Sequence, residues 1–458
     1  MSRTLADTLS AQVTGPVLVP GDDGYDDEVA AFNLATTLRP DVAVGATSTQ
    51  DVVAAVRAAR AHGVPLVVHA TGHGAEHPVT SGLLVSTRRL DAVHVDPAAR
   101  TATVGAGVRW AAVAAAAAEH GLAPVAGSSP TVGVVGYLLG GGVGPFARSH
   151  GFSSDRLLGA TVVTGTGEVV EVSAAAHPDL LWALRGGKHG LGVVSQVTVG
   201  LVAMPELYAG SWTFAAEHVE AVVRGWLAWT ATADPDTTTS LAVARFPDLP
   251  VVPEPLRGRT VLHLRFARPG DAATGEAVAA PLRALAPVVA DEVGVLPVSE
   301  TARIFADPTE PAASWVGGAL LTHAEDDLAS AWLAALGPDA DHPFLAVELR
   351  HLAGATSLDV DGGSAVSGRS AAFSLGVLAV DPRAFAAAPD ATARALDALR
   401  PWLADESNPN LCGALAPRWH QWTQQRLDDV RHRYDPDGVL RATGPTNPTN
   451  PLAGGEEG

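Results

Sequence analysis

The sequence predicts an α+β protein assembled from two dissimilar units, and three observations lead to that class. Two glycine-rich, side-chain-poor loops, VHATGHG (68–74) and GSSPTVGVVGYLLGGGVG (127–144), flank short strand-like runs and one Ala-rich helix. Short apolar strands dominate as far as about Pro205. From Tyr208 to about Leu399, longer helices alternate with β-rich runs, the order expected of an antiparallel sheet with helices on one face.

In chain order, an acidic turn, PGDDGYDDE, precedes an expected first helix over Val29 to Leu38. A helix over Asp51 to His62 is started by Ser48 or Thr49 and stopped by Gly63 and Pro65. Leu66 to Val68 is an apolar strand feeding the first loop. A second unit repeats the scheme: an Ala-rich helix over Val108 to His120, then Gly121, Pro124 and a strand at Pro124 to Ala126 feeding the second loop.

Short strands are expected at Leu83 to Ser86, Ala92 to Asp96 and Thr101 to Gly105, and a hairpin over Ala160 to Val172 turns at Gly165 to Gly167. A helix at His177 to Leu184 and a strand at Val193 to Leu201 complete this part. In the second unit the expected helices are Ala216 to Trp229, Asp271 to Leu285, Asp326 to Leu336 and Phe385 to Leu403. The expected strands are Ser240 to Phe246, Thr260 to Phe266, Phe344 to Leu349 and Phe373 to Val380. A charged helix at Trp419 to Arg433 leads into YDPDGVLR, and a disordered tail is expected from about Gly454.

Composition narrows the partners. At 458 residues and 47% hydrophobic, the chain can bury sizeable cores. Its 30 basic and 49 acidic residues give a formal charge of -19, which repels phosphate backbones and anionic lipid, so neither nucleic acid nor membrane is an expected partner. The single cysteine, Cys412, excludes an internal disulfide framework and fits a reducing compartment, and no redox-active or Cys-ligated metal site is hinted at. With no signal-peptide pattern at the start and no apolar run of the roughly 20 residues that span a bilayer, a soluble, cytoplasmic protein is expected.

The run Gly140, Gly141, Gly142, Gly144 does not complete a G-x-G-x-x-G fingerprint, which needs a strand before it, a helix after it and an acidic residue about 20 positions on. A G-x-x-x-x-G-K-[ST] phosphate loop is also absent. Successive glycine amides can still form an anion-binding concavity, or simply permit tight turns.

Six ordered stretches carry a more specific signal. VHATGHG, SGLLVSTRRLDAVHVDPAARTATVGAGVRW, AGSSPTVGVVGYLLGGGVG, GFSSDRLLGATVVTGTGEVVEVS, LWALRGGKHGLGVVSQVTVGL and RYDPDGVLR resemble the FAD-linked oxidases of the vanillyl-alcohol oxidase superfamily, in its berberine-bridge-enzyme-like and 6-hydroxynicotine-oxidase-like branch. The resemblance runs over about residues 15 to 205 and again near 420 to 441. It implies a PCMH-type FAD-binding domain of two α+β subdomains, formed by 1–205 and a returning segment 406–458. A substrate domain of antiparallel sheet covered by helices, 206–405, would be inserted between them.

The same resemblance implies a cofactor site. His73 stands where relatives with an R-x-G-G-H loop bond the flavin 8α-carbon, although His69 and Thr71 replace that loop's Arg and middle Gly. Ser129 stands where many relatives carry a second linking cysteine in G-x-C-P-T-V-G, so a bicovalent flavin is not expected. Gly72 and Gly74, then Thr131, Gly133 and Gly136, are implied along the pyrophosphate and ring. Gly192 and Val193 are implied near the adenine, in a loop where Gly190 and Leu191 replace the Asn and Phe of the family's G-N-F-G-V-V.

Hydride transfer to flavin N5 usually needs a base for the accompanying proton. The four tyrosines are Tyr25, Tyr137, Tyr208 and Tyr434, so none lies between 209 and 433, where plant-like relatives place one; Trp419 and His420 occupy that neighbourhood. Tyr137 lies inside the second loop. In VELRHL, Glu348 and Arg350 fall two apart on one strand face and form either a base with a positioning cation or a cross-strand ion pair. His263 and Arg265 alternate in the same way, and His351 and His323 are further candidates.

Three functions stay open at this point. The first is an FAD-dependent oxidoreductase, using oxygen as acceptor for a small or medium-sized apolar metabolite of secondary metabolism. The others are a non-redox cyclase or pericyclase retaining FAD as a structural element, and a flavin-binding scaffold. No metal site is expected, and the oligomeric state is not readable.

Overall fold

The structure is a computed structural model that describes residues 2–440 apart from 251 and 326. The expectation for the tail beyond about 454 and the end of YDPDGVLR at Arg441 lie outside the described residues.

The first sheet is ordered Val17–Leu18, Val42–Gly45, Leu83–Ser86, Leu66–His69. Its last three strands are parallel, and the helix Thr49–His62 lies in the connection between two of them. That helix begins where it is expected: Ser48 Oγ accepts from Asp51 N at 3.1 Å, and Gly63 ends it in the left-handed region at φ 63°. Val52, Val56 and Ala59 pack on Val42, Val44, Leu66, Leu83 and Val85, so the strands are apolar because both helix and sheet bury them. Leu5 and Leu9 of an unanticipated N-terminal helix, Ser2–Ser10, join the same core.

The helix expected over Val29 to Leu38 is not formed. A short helix covers Tyr25–Val29 instead. Beyond it the backbone donates elsewhere: Phe32 N to the Thr71 carbonyl at 3.1 Å and Asn33 N to the Gly72 carbonyl at 3.5 Å. Those donors are committed to the first glycine loop and are lost to a helical ladder.

A second, antiparallel sheet is built on the long strand Val193–Ala203. Thr101–Gly105 and Leu157–Val163 pair on its two sides, Val93–Asp96 and Val169–Ser173 lie outside them, and Leu122–Pro124 pairs with its end. Helices Trp110–Ala118, Pro178–Leu184 and Gln421–Tyr434 contribute to its core through Val113, Leu180, Leu184, Leu427 and Val430. The chain therefore returns to its first half, and Leu66 N donates to the Val439 carbonyl at 2.9 Å.

The third sheet runs Val288–Asp291, Leu207–Ala215, Thr260–Pro269, Thr238–Arg245, Ala346–His351, Phe373–Ala379, Trp315–Leu321, with Gly294–Val295 also on Leu207–Ala215; every pairing is antiparallel. One face carries Trp212, Phe214, Leu241, Leu262, Leu264, Val347, Leu349 and Leu375, covered by Val219–Thr230, Ala272–Arg283, Leu328–Leu336 and Ala388–Ala398. Because strand side chains alternate, the other face receives His263, Arg265, Glu348 and Arg350.

Candidate functional site

The VHATGHG loop leaves the carboxyl end of Leu66–His69 in the parallel sheet, where ligand crevices of open α/β sheets form. Gly72 holds φ 71°, and a Cβ there would lie 2.5 Å from Ala31 Cα, so only glycine lets the 30–33 segment back the loop. His73 stacks on Phe32, with ring centroids 3.7 Å apart and 17° between planes. Burial, helped by the charge of Arg109, lowers His73 to about 4 and keeps the ring neutral. Arg88 braces the loop from behind, donating to the Ala70 carbonyl at 3.1 Å and the Asp27 carbonyl at 2.6 Å.

The second loop closes against the first through side chains. His73 Nε2 lies 3.0 Å from Thr131 Oγ1, and Thr131 Oγ1 lies 3.1 Å from Ser129 Oγ. A Cβ at Gly133 would meet Thr71 Cγ2 at 3.5 Å, so the loops approach there to within a methyl group's width. In the run that follows, Gly141 and Gly142 hold φ 97° and 78°, and their carbonyls accept from Ser154 N at 2.8 Å and Ser153 N at 3.0 Å.

The third loop, 185–192, is pinned by the returning C-terminal helix: Arg431 donates to the His189 carbonyl at 3.0 Å and the Gly187 carbonyl at 2.9 Å. Lys188 Nζ bridges from this loop to the Gly136 carbonyl at 3.2 Å and Asn410 Oδ1 at 2.7 Å. Asn410 Nδ2 in turn donates to the Tyr137 carbonyl at 2.6 Å.

The polar face of the third sheet meets the Gly-rich run. Arg350 Nη1 donates to the Val143 carbonyl at 2.8 Å and Arg350 Nη2 to Glu348 Oε2 at 2.8 Å, while Arg265 reaches Glu348 Oε1 at 3.0 Å. Both guanidiniums lie over the Phe305 ring, at 4.9 Å and 4.8 Å. Burial opposes ionisation of Glu348, but the two arginines outweigh it and hold the carboxyl below its ordinary range. The Tyr137 hydroxyl is buried with no hydrogen-bond partner among the described residues, and burial, partly countered by Arg350, pushes it well above the usual phenol value.

The structure thus gathers His73, Thr71, Gly72, Thr131, Ser129 and Gly133, and separately joins Tyr137, Arg350 and Glu348 to the same glycine run. Glu348 and Arg350 are an ion pair on the sheet face turned to the glycine run. Gly74 and Gly136 border open space, with nothing within 4 Å of a Cβ. Gly192, at φ 121°, packs on Val162, and the Val193 side chain is buried in the core of the first sheet, which leaves only its backbone for a ligand.

Other candidates fall away from the constellation. His420 is exposed at the start of the last helix, with its ring beside Trp422, and shares no hydrogen bond with the loops. His351 lies on the apolar side, 3.0 Å from Arg148 Nη1 and stacked on Phe373. His263 contacts Thr213 Oγ1 at 3.1 Å and is lowered to about 4 by burial, while His323 Nδ1 lies 2.8 Å from the Thr322 hydroxyl. Cys412 is buried. Sequence reasoning missed Phe32, Glu76, Lys188 and Asn410; for Lys188 a signal existed, since it is the chain's sole lysine.

A parallel-sheet loop, a second glycine loop hydrogen-bonded to it and a polar sheet face tied to the second loop's glycine run together form a cradle with room for a cofactor. Residues 40–173 match the model of the FAD binding domain. The chain is 37% identical over 218 residues to (R)-6-hydroxynicotine oxidase of Paenarthrobacter nicotinovorans, covering 47% of each chain. It is 34% identical over 190 residues to glucooligosaccharide oxidase of Sarocladium strictum, covering 40% of this chain and 38% of that one. The matches therefore span about half or less of these relatives' length. The solved structure of Physcomitrella patens BBE-like 1 superposes with a TM-score of 0.84 at 20% identity, over 96% of this chain and 98% of that one.

Residues 40–173 thus form an FAD binding domain, and the chain throughout has a fold similar to that of Physcomitrella patens BBE-like 1 and of berberine bridge enzyme from Eschscholzia californica. The chain's own residues fit the cofactor. Gly74 and Gly136 leave room that a Cβ would narrow, and His73 offers a neutral ring. No helix among the described residues is long and apolar enough to cross a membrane.

Proposed function

We propose that the protein is an FAD-dependent oxidoreductase, working as an oxidase on a small to medium-sized apolar metabolite through a C-OH, C-N or activated C-H bond. The observation that carries this reading is the Arg350 to Val143 bond, which lays the polar face of the third sheet on the glycine run of the cofactor loops. On this reading 1–205 and 406–458 hold the cofactor and 206–405 holds the substrate. FAD when bound supplies the hydride acceptor at N5, with oxygen as the terminal acceptor.

The chain's own residues do the rest. His73, kept neutral by burial, would be the residue to hold the flavin ring covalently, and Ser129 would add no second link, because a hydroxyl is a far weaker nucleophile than a cysteine thiolate. Gly72, Gly74, Gly133, Gly136, Gly192 and the Val193 backbone let the chain approach the nucleotide, with Thr71 and Thr131 lining it. Glu348, held ionised between Arg265 and Arg350, orients a polar group of the substrate and accepts its hydrogen bond. Tyr137 keeps its proton at neutral pH and so has an O–H to donate. The substrates in the two relatives' names, a hydroxynicotine and a glucooligosaccharide, support a small-molecule substrate and differ too much to name one.

A non-redox cyclase is the second reading, and one observation favours it. Glu348 is tied to two arginines and Tyr137 is hard to ionise, so neither is a ready base. Anaerobic mixing with a converted substrate decides between them: bleaching of the flavin band that air reverses supports the oxidase, and conversion without bleaching supports the cyclase. On the same reading we assign the protein to the cytoplasm and to secondary metabolism. The single cysteine supports the reducing compartment, and cell fractionation tests it.

A further inference from the structure

Lys188 is the one lysine among 30 basic residues, and it stands in the third loop between Gly187 and His189. Its backbone is left-handed at φ 65°, a conformation that side-chain-bearing residues rarely adopt, and its amide donates to the Leu139 carbonyl at 2.8 Å. Both ends of the residue are thus fixed to the segment that carries Gly136 and Tyr137. Its ammonium uses two donors on Gly136 O and Asn410 Oδ1.

No carboxylate lies within ion-pairing distance of Nζ among the described residues. The acidic groups that couple to it are Cys412, a neutral thiol that burial pushes up to about 11, and Glu76, three residues beyond His73. Burial lowers Lys188 to about 8, and burial raises Glu76, against the pull of Lys188, to about 7. A desolvated ammonium without a counter-ion is costly, and the cost is relieved when an anion arrives beside it. The carbonyl it grips belongs to Gly136, which is exposed and faces open space. An arginine would bring a wide planar fork with five donors, whereas lysine brings a compact point charge.

We propose that Lys188 is the cation facing a flavin held between the loops, where its ammonium stabilises an anionic flavin over the neutral form and Glu76 opposes it. This rests on the FAD reading above. Inorganic sulfite is a probe that needs no substrate. Its sulfur lone pair forms a bond to oxidised flavin, nothing leaves, and the flavin takes up the negative charge, which is read as loss of visible absorbance.

Sulfite titrations at neutral pH and matched flavin content test the proposal. Lys188→Gln keeps a donor for Gly136 O and Asn410 Oδ1 but no charge, and should weaken sulfite binding by about tenfold or more. Glu76→Gln removes the opposing charge and should tighten it by about threefold. Unchanged affinity in Lys188→Gln, or shifts of the same sign in both variants, overturns the proposal. If Lys188→Gln does not retain flavin, Glu76→Gln decides, and absence of tightening overturns it. A wild-type protein that holds no flavin, evident from its spectrum before sulfite is added, refutes the FAD reading instead.

Discussion

Arg350 and Glu348 sit two residues apart on one strand and touch at 2.8 Å, and the same guanidinium also caps the Val143 carbonyl in the glycine run. One side chain therefore links the third sheet to the cofactor loops and neutralises a buried carboxylate. The side chains of Arg350 and Glu348 are 10% and 23% exposed, so their pairing is weakly screened.

Removing Arg350 should accordingly be costly. Arg350→Met leaves Glu348 with Arg265 alone and the Val143 carbonyl without its donor, and should destabilise by about 2–4 kcal/mol. Urea unfolding is expected to show a lower midpoint at unchanged slope. A midpoint equal to wild type would show that Arg265 suffices.

Replacing His73 tests the anchor. In His73→Ala, flavin should move from the acid-precipitated pellet to the supernatant, while Ser129→Ala should leave the pellet as yellow as wild type. Colour in the wild-type supernatant would refute the single-bond reading at once. Thr131→Val removes the partner of His73 Nε2, and slower or incomplete flavin attachment is expected, followed as pellet absorbance over time.

What the sequence disclosed and what it hid follow from the range of the interactions. The helix Thr49–His62 was legible because its cap, Ser48, and its stop, Gly63, are its own neighbours. The strands carrying Arg265 and Glu348 were legible because alternation is local. The strand Trp315–Leu321 was hidden by two glycines, one of which lies against the Leu411 and Leu375 carbonyls. The helix expected over Val29 to Leu38 fails to form because the Phe32 and Asn33 amides are claimed by the Thr71 and Gly72 carbonyls, far along the chain and invisible to a local pattern. Lys188 escaped notice for the same reason, since its partner Asn410 is 222 residues away.

Two glycines separate folding from cofactor binding. Gly74 has open space where a Cβ would go, so Gly74→Ala should leave the melting temperature within about 2 °C of wild type while lowering flavin content. Gly72→Ala meets Ala31 at 2.5 Å and must adopt φ 71°, so it should destabilise by about 2 kcal/mol or more and lose flavin as well. Equal flavin content in Gly74→Ala and wild type would move the nucleotide away from this loop.

Acid stability should report the buried histidines, with His351 as the cleanest case. Burial, reinforced by Arg148, lowers it from 6.5 to about 3. The unfolded chain therefore binds a proton that the folded one refuses, and stability rises with pH through this window. The contribution is fully present above pH 6.5 and is lost progressively as pH falls toward about 3. His351→Gln should lower stability at neutral pH by disturbing the contact with Arg148, yet flatten the fall below pH 6.5. Denaturant midpoints measured across that range check it, and parallel curves for the two proteins would assign the acid limb to other groups.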